Sequence, residues 1–148
     1  MTLINALDGK TGVVIDTMVF IYLFEDHKDY AGRCEKIIDR MGKGFFSGVV
    51  TPITAAEVLV KPLQNNRASI ADRYRYAIRN LPNVTFSNLD MEIAFMAGSF
   101  RAKYGMPLPD MFQAATALRF PAHTLITNDL SMTKIQEIDI FLLEKSTE

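Results

Sequence analysis

Short β-branched runs alternate with helical periods along most of the chain, and this alternation constrains the fold more than any other feature. "VVI" at residues 13–15 has the make-up of a buried strand, and residues 17–25 have the length and composition of a helix. Between residues 30 and 41, Tyr30, Cys34, Ile37, Ile38 and Met41 recur at i, i+4, i+7, i+8 and i+11, an amphipathic helix. "GFFSGVV" (44–50) reads as a second strand, and Pro52 suits the first turn of the helix after it. Residues 69–80 read as a helix and 83–86 as a short strand. Residues 90–104 form a helix with Ile93, Ala97, Phe100 and Tyr104 on one face. Pro107 and Pro109 break that helix before another carrying Met111, Ala114, Ala115 and Leu118. "HTLIT" (123–127) and "IDIFLL" (138–143) close the series as strands. The order predicts an α/β fold: a central, mainly parallel sheet covered by helices on both faces. With 148 residues, no repeat and no Pro/Gly-rich linker, a single domain over 1–148 is expected.

Four carboxylates stand out against this apolar background. Asp16 follows Val13, Val14 and Ile15 directly, just past the C-terminal end of the first strand. Asp129 in "LITND" lies just past another. Sites in open α/β sheets form outside the carboxyl ends of the strands, so acids distant in sequence converge there. Glu57 in "TPITAAEVLVKPL" shares a helical face with Ile53 and Val60, which reads as an inward-looking glutamate lining a pocket. Asp110 in "PLPDMFQAATAL" opens an Ala-rich helix able to pack close to the sheet. Taken singly, each acid has an ordinary role. Asp16, Asp110 and Asp129 all precede helical segments and could cap them, and Glu57 could be an exposed ion-pair partner. Taken together, clustered carboxylates repel unless a cation joins them, and an oxygen-only set selects hard ions such as Mg²⁺ or Mn²⁺. Such a site can activate a water and stabilise charge on a phosphodiester.

At these residues the chain resembles the PIN-domain ribonucleases, and in particular the VapC-type toxins of bacterial toxin–antitoxin pairs. "VVIDTMVFIYLFE" resembles the family's opening strand with its acid–Thr pair, Asp16 and Thr17. "TPITAAEVLVKPL" resembles the second motif and brings in Glu57. "LPDMFQAATAL" resembles the third through Asp110, and "LITNDLSMTKI" the last through Asp129, with Thr127 and Asn128 as accompanying polar residues. Met18 stands where the family has a small polar residue, Met132 where an aromatic is common, and the leader before the first strand is longer than in the shortest members. The resemblance implies a PIN-like, Rossmann-like three-layer fold. It implies one or two Mg²⁺ or Mn²⁺ ions held by Asp16, Glu57, Asp110 and Asp129, and endonuclease activity on RNA. A homodimer, and an antitoxin whose tail occupies the cleft, are implied with it.

Other signals carry less. "DGKTG" contains a GKT without the upstream glycine of a phosphate-binding loop and reads as an exposed turn. A haloacid-dehalogenase reading of Asp16 fails because the required second acid, two residues on, is Met18. The Lys–Pro in "VKPL" lacks the paired acids of a receiver domain. His27 and His123 have no motif partner, so a metal-activated water is favoured over a histidine-driven ribonuclease. Cys34, the only cysteine, excludes an intramolecular disulfide and reads as a core residue. In "RASIADRYRYAIR", Arg67, Arg73, Arg75 and Arg79 interleave with Tyr74 and Tyr76. This pattern suits phosphate and base contacts, or else a solvated helix face anchored by its tyrosines.

Composition leaves the choice of substrate open. The net charge of −1 is not that of a nucleic-acid binder, but setting four acids aside as metal ligands leaves 13 acids against 16 Lys and Arg, a balance of +3. No apolar run approaches a membrane span and the opening residues lack a signal-peptide pattern, so a cytoplasmic protein with no membrane partner is expected. The leading expectation is a metal-dependent endoribonuclease toxin. A non-catalytic module docking a basic partner through the acidic crevice, and a housekeeping RNA-processing nuclease, are the alternatives.

Overall fold

The computed structural model describes residues 2–147. The chain opens with strand β1 (Thr2–Leu3) and a 3-10 turn (Ile4–Leu7), then enters β2 (Val13–Ile15), α1 (Thr17–Phe24) and α2 (Ala31–Gly42). β3 (Gly48–Val50), α3 (Pro52–Gln64), α4 (Ala68–Arg79) and β4 (Val84–Phe86) follow, then α5 (Met91–Tyr104), α6 (Leu108–Leu118), β5 (Thr124–Thr127), β6 (Asp139–Leu142) and β7 (Ser146–Thr147).

Five strands form one sheet in the order β4-β3-β2-β5-β6, every neighbouring pair parallel. The expectation of a mainly parallel sheet is met by a wholly parallel one. β1 and β7 pair separately, also in parallel. Successive side chains of β2 point to opposite faces, so Val13 and Ile15 join one core and Val14 the other. The first core is closed by Val19 and Phe20 of α1, Cys34, Ile37 and Met41 of α2, Val58 of α3 and Ile78 of α4. The second is closed by Ile93, Ala97 and Phe100 of α5 and by Met111, Ala114, Ala115 and Ala117 of α6. Three layers result, and β2, buried on both faces, is at their centre.

Local chemistry explains most boundaries. Pro52 occupies the start of α3 as expected. Asp90 caps α5, accepting from the Ile93 N–H at 2.9 Å, and Gly105 ends it in the left-handed region at φ 73°. Cys34 is fully buried, and burial pushes its thiol up to about 12.

One reading needs correction. The strand placed at 44–50 is paired only over Gly48–Val50. The backbone before it turns, Gly44 having φ 85°, and Ser47 accepts from the N–H groups of Gly12 and Val13. Before the exposed turn at 8–12, Ile4 and Leu7 of the 3-10 turn are buried in the first core. Among the described residues no helix is long and apolar enough to cross a membrane.

Candidate active site

The strand order reverses between β2 and β5. After β2 the chain builds outward through β3 and β4, then returns by α5 and α6 to pair β5 on the other side of β2. The C-terminal ends of β2 and β5 therefore border the crevice where such sheets place their sites. The Asp16 N–H bonds to the Ile126 carbonyl at 2.9 Å, which carries the β2–β5 pairing one residue past the strand and fixes Asp16 at that edge. A crevice of about 370 Å³ opens there, lined by Asp16, Thr17, Met18 and Ile21 of the β2–α1 segment, Glu57 and Val60 of α3, and Asp110 of α6.

Asp16 is 4% exposed. Its Oδ1 accepts from the Thr17 N–H at 2.9 Å and from Gln113 Nε2 at 3.4 Å, and its Oδ2 accepts from Thr127 Oγ1 at 2.7 Å. Asp16 does cap α1, but it faces two further donors and no cation. Burial raises its carboxyl against these donors, and the charge on Glu57 adds to the rise.

Asp110, half-buried in the first turn of α6, is pushed up to about 6. Burial is the main cause, followed by the charges of Asp16, Asp129 and Glu57. Asp129 starts a 3-10 turn, its Oδ1 accepting from the Ser131 N–H at 2.9 Å. Its own N–H donates to Thr127 Oγ1 at 3.1 Å, the hydroxyl that in turn bonds Asp16, so one threonine ties two of the acids.

Glu57 lies within reach, although not as an inward-looking residue. It is exposed, Val60 is 49% exposed, and the buried face of α3 carries Thr54, Val58 and Pro62 instead. The face of Ile53, Glu57 and Val60 is the wall of an open crevice. Glu57 Oε1 accepts from Thr17 Oγ1 at 2.7 Å.

The other expected residues divide. Thr17 and Thr127 bond the acids directly. Asn128 turns elsewhere: its Oδ1 accepts from the Glu144 N–H and its Nδ2 donates to the Tyr22 hydroxyl, tying the β5 loop to α1 and the chain's end. The Met18 sulfur accepts from the Asn128 N–H at 2.9 Å. Arg67, Arg73, Arg75 and Arg79 are all exposed on or beside α4; Arg75 pairs with Asp72, while Tyr74 stacks on Phe24 and Tyr76 is 71% exposed. His27 sits among Tyr22 and Tyr30, and His123 precedes β5 on the surface.

Three residues that sequence reading passed over belong to the site's support. Thr51, Thr54 and Gln113 are only 1%, 0% and 0% exposed; Gln113 bonds both threonines and reaches Asp16. A signal was present. Gln113 interrupts an apolar helical stretch three residues after Asp110, and a polar group buried there requires partners.

No lysine or arginine is ion-paired with Asp16, Glu57, Asp110 or Asp129 among the described residues. The four stand within electrostatic reach of one another without gathering, and no three His, Cys, Asp or Glu among the described residues form a set that would hold a metal ion as arranged here. Their chemistry nonetheless fits a hard divalent ion: all donors are oxygen, and their mutual repulsion is uncompensated. A larger hollow of about 520 Å³, beside α2 and the N-terminal turn, has no comparable focus. Its Arg40 and Lys43 pair with Asp8 and Asp39.

The model of the PIN-domain family matches residues 13–138. No curated protein matches the sequence. Among solved structures, VapBC2 from Rickettsia felis, bound to a promoter DNA fragment, superposes with a TM-score of 0.71 at 14% identity, covering 88% of this chain and 98% of that one. FitAcB from Neisseria gonorrhoeae gives 0.67 at 18% identity, and VapBC-1 from nontypeable Haemophilus influenzae 0.66 at 22%. Each of these two covers 90% of this chain and 99% of its own. At such identities the likeness is one of fold.

Proposed function

The chain belongs to the PIN-domain family, and from that premise we propose that it is a Mg²⁺- or Mn²⁺-dependent endoribonuclease, the toxin of a type II toxin–antitoxin pair. One observation carries the reading: Asp16, Glu57 and Asp110 line a single crevice, with the charge of Asp129 felt at Asp110 and no Lys or Arg ion-paired with them among the described residues. A domain that served only as scaffold would gain nothing from such repulsion.

Asp16, Asp110 and Asp129 would hold the cation, and Glu57 would hold a second ion or orient the attacking water. A divalent ion bound there supplies Lewis-acid stabilisation of the charge that builds on the phosphodiester and lowers the pKa of water. The chain's own residues do the positioning. Thr17 and Thr127 each bond one oxygen of Asp16, which fixes the plane of its carboxylate, and Thr17 also anchors Glu57. Arg67, Arg73, Arg75 and Arg79, with Tyr76 exposed among them, offer phosphate and stacking contacts for single-stranded RNA.

A cognate antitoxin, its basic segment seated in the acidic crevice, belongs to the same reading. The likeness of fold to a solved toxin–antitoxin complex from Klebsiella pneumoniae supports it. A homodimer and a cytoplasmic location complete the proposal.

The test is the chemistry of the cut ends. Protein freed of any partner and incubated with RNA and Mn²⁺ should leave 5′-phosphate and 3′-hydroxyl termini, and Asp16→Asn should abolish cleavage. Recovery of 2′,3′-cyclic phosphate ends would overturn the mechanism. Growth arrest on expression in a bacterial host, relieved by Asp16→Asn, assigns the toxin role; harmless expression of an active enzyme assigns RNA processing.

A further inference from the structure

The bonds behind the acids have a direction that can be worked out hydrogen by hydrogen. Thr17 has one hydroxyl hydrogen and donates it to Glu57 Oε1 at 2.7 Å. In its 3.0 Å contact with Thr54 it must therefore accept, so the Thr54 hydrogen points to Thr17. Thr54, with its hydrogen committed, accepts from Gln113 Nε2 at 2.9 Å. The other hydrogen of that amide is turned toward Asp16 Oδ1 at 3.4 Å, and Gln113 Oε1 accepts from Thr51 at 2.6 Å. Reversing the amide would set its oxygen against the Asp16 carboxylate, acceptor facing acceptor, so its orientation is determined.

The result is a one-way chain from Thr51 through Gln113, Thr54 and Thr17 to Glu57, with a branch from Gln113 to Asp16. Its four donors, Thr51, Gln113, Thr54 and Thr17, are buried, and among the described residues no buried side-chain nitrogen or oxygen lacks a partner. The chain crosses from the cap of α3 to α6, back to α3, on to α1 and again to α3 at Glu57, so it ties together three helices that border the crevice. Glu57 Oε2 is left without a hydrogen bond from the described protein groups, while Oε1 is anchored.

Resting on the nuclease reading, we propose that Gln113 and Thr54 are positioning residues that set the carboxylates of Glu57 and Asp16 for a divalent cation. Neither touches the cation or substrate. They act by presenting oriented N–H and O–H groups, which remove the freedom of Glu57, otherwise an exposed side chain, to leave the crevice.

Paired substitutions distinguish this role from simple packing. Thr54→Val keeps the shape and removes the hydroxyl; Thr54→Ser keeps the hydroxyl and removes a methyl. If Thr54 only fills space, the serine variant is the worse of the two; if it relays a hydrogen bond, the valine variant is. Gln113→Met keeps the length and removes both the donors and the acceptor. The probe is Mn²⁺ alone, titrated by calorimetry, with melts in chelator to establish that each variant is folded.

Thr54→Val and Gln113→Met should weaken Mn²⁺ binding by about 10- to 100-fold, the range for residues that orient ligands, with Thr54→Ser restoring it to within about threefold of the wild type. Thr54→Val binding as tightly as the wild type, or Thr54→Ser failing as badly as Thr54→Val, would overturn the inference and leave the metal site standing. A wild type that binds no Mn²⁺ at millimolar concentration would overturn both together.

Discussion

Removing the Asp110 carboxylate should stabilise the metal-free protein, by an amount that depends on pH. Burial and three neighbouring acids hold this group at about 6 rather than 3.8, and its side chain makes no hydrogen bond to the described residues that the substitution would forfeit. In the unfolded chain it ionises near its ordinary value. Between about pH 4 and pH 6 the folded state therefore binds the extra proton, so stability falls as pH rises through that window and is level above it. A shift of about two pH units corresponds to roughly 3 kcal/mol; because Asp110 is only half-buried, screening by solvent reduces this to about 1–2 kcal/mol. Asp110→Asn keeps the shape and removes the charge. In chelator at pH 7.5 it should melt roughly 3–6 °C above the wild type, and the two should converge near pH 4. Saturating Mn²⁺ should reverse the order, because only the wild type gains binding energy from the ion. An Asp110→Asn protein melting at or below the wild type in chelator at pH 7.5 would refute the claim that the acids repel.

Two further substitutions probe the walls of the site and the edge of the sheet. Met18→Leu takes the sulfur acceptor from the Asn128 N–H and should cost about 1 kcal/mol while speeding hydrogen exchange at that amide; unchanged exchange would show that the contact contributes nothing. Gly12→Ala combines φ 78° with a new Cβ 2.7 Å from Phe120 Cβ and should cost about 2–3 kcal/mol by urea denaturation. A loss below about 0.5 kcal/mol would mean that Phe120 moves aside freely.

Much of the architecture is local in origin and legible in the sequence. The spacing of apolar residues in α2 and the prolines that start α6, Pro107 at its cap and Pro109 in its first turn, act over a few residues, and α2 falls within a residue of expectation. Asp16 and Asp129 were legible for a related reason. Parallel strands put all their carboxyl ends on one edge, so an acid just past a strand is committed to that edge wherever its strand lies in the sheet. Glu57 was only half legible: its periodicity placed it on a shared face with Ile53 and Val60, but periodicity cannot distinguish a face that packs from one that lines an open crevice. Residues 44–47 failed for another reason. Their apolar composition suits a strand, yet the backbone turns at Gly44 (φ 85°), and Ser47 gives its N–H to the Lys10 carbonyl and its carbonyl to the N–H groups of Gly12 and Val13, ahead of the paired residues of β3.

The sequence by itself determined the kinds of elements, their order, and the four carboxylates on which a metal could be held, because periodicity, turn chemistry and residue type act at short range. Tertiary structure alone decided the sheet order, the buried state of Asp16 and the partners of Gln113. The physical reason is separation along the chain. Gln113 reaches Thr54 across 59 positions and Asp16 across 97, and a hydrogen bond between such residues exists only once the whole fold has brought their donors and acceptors together.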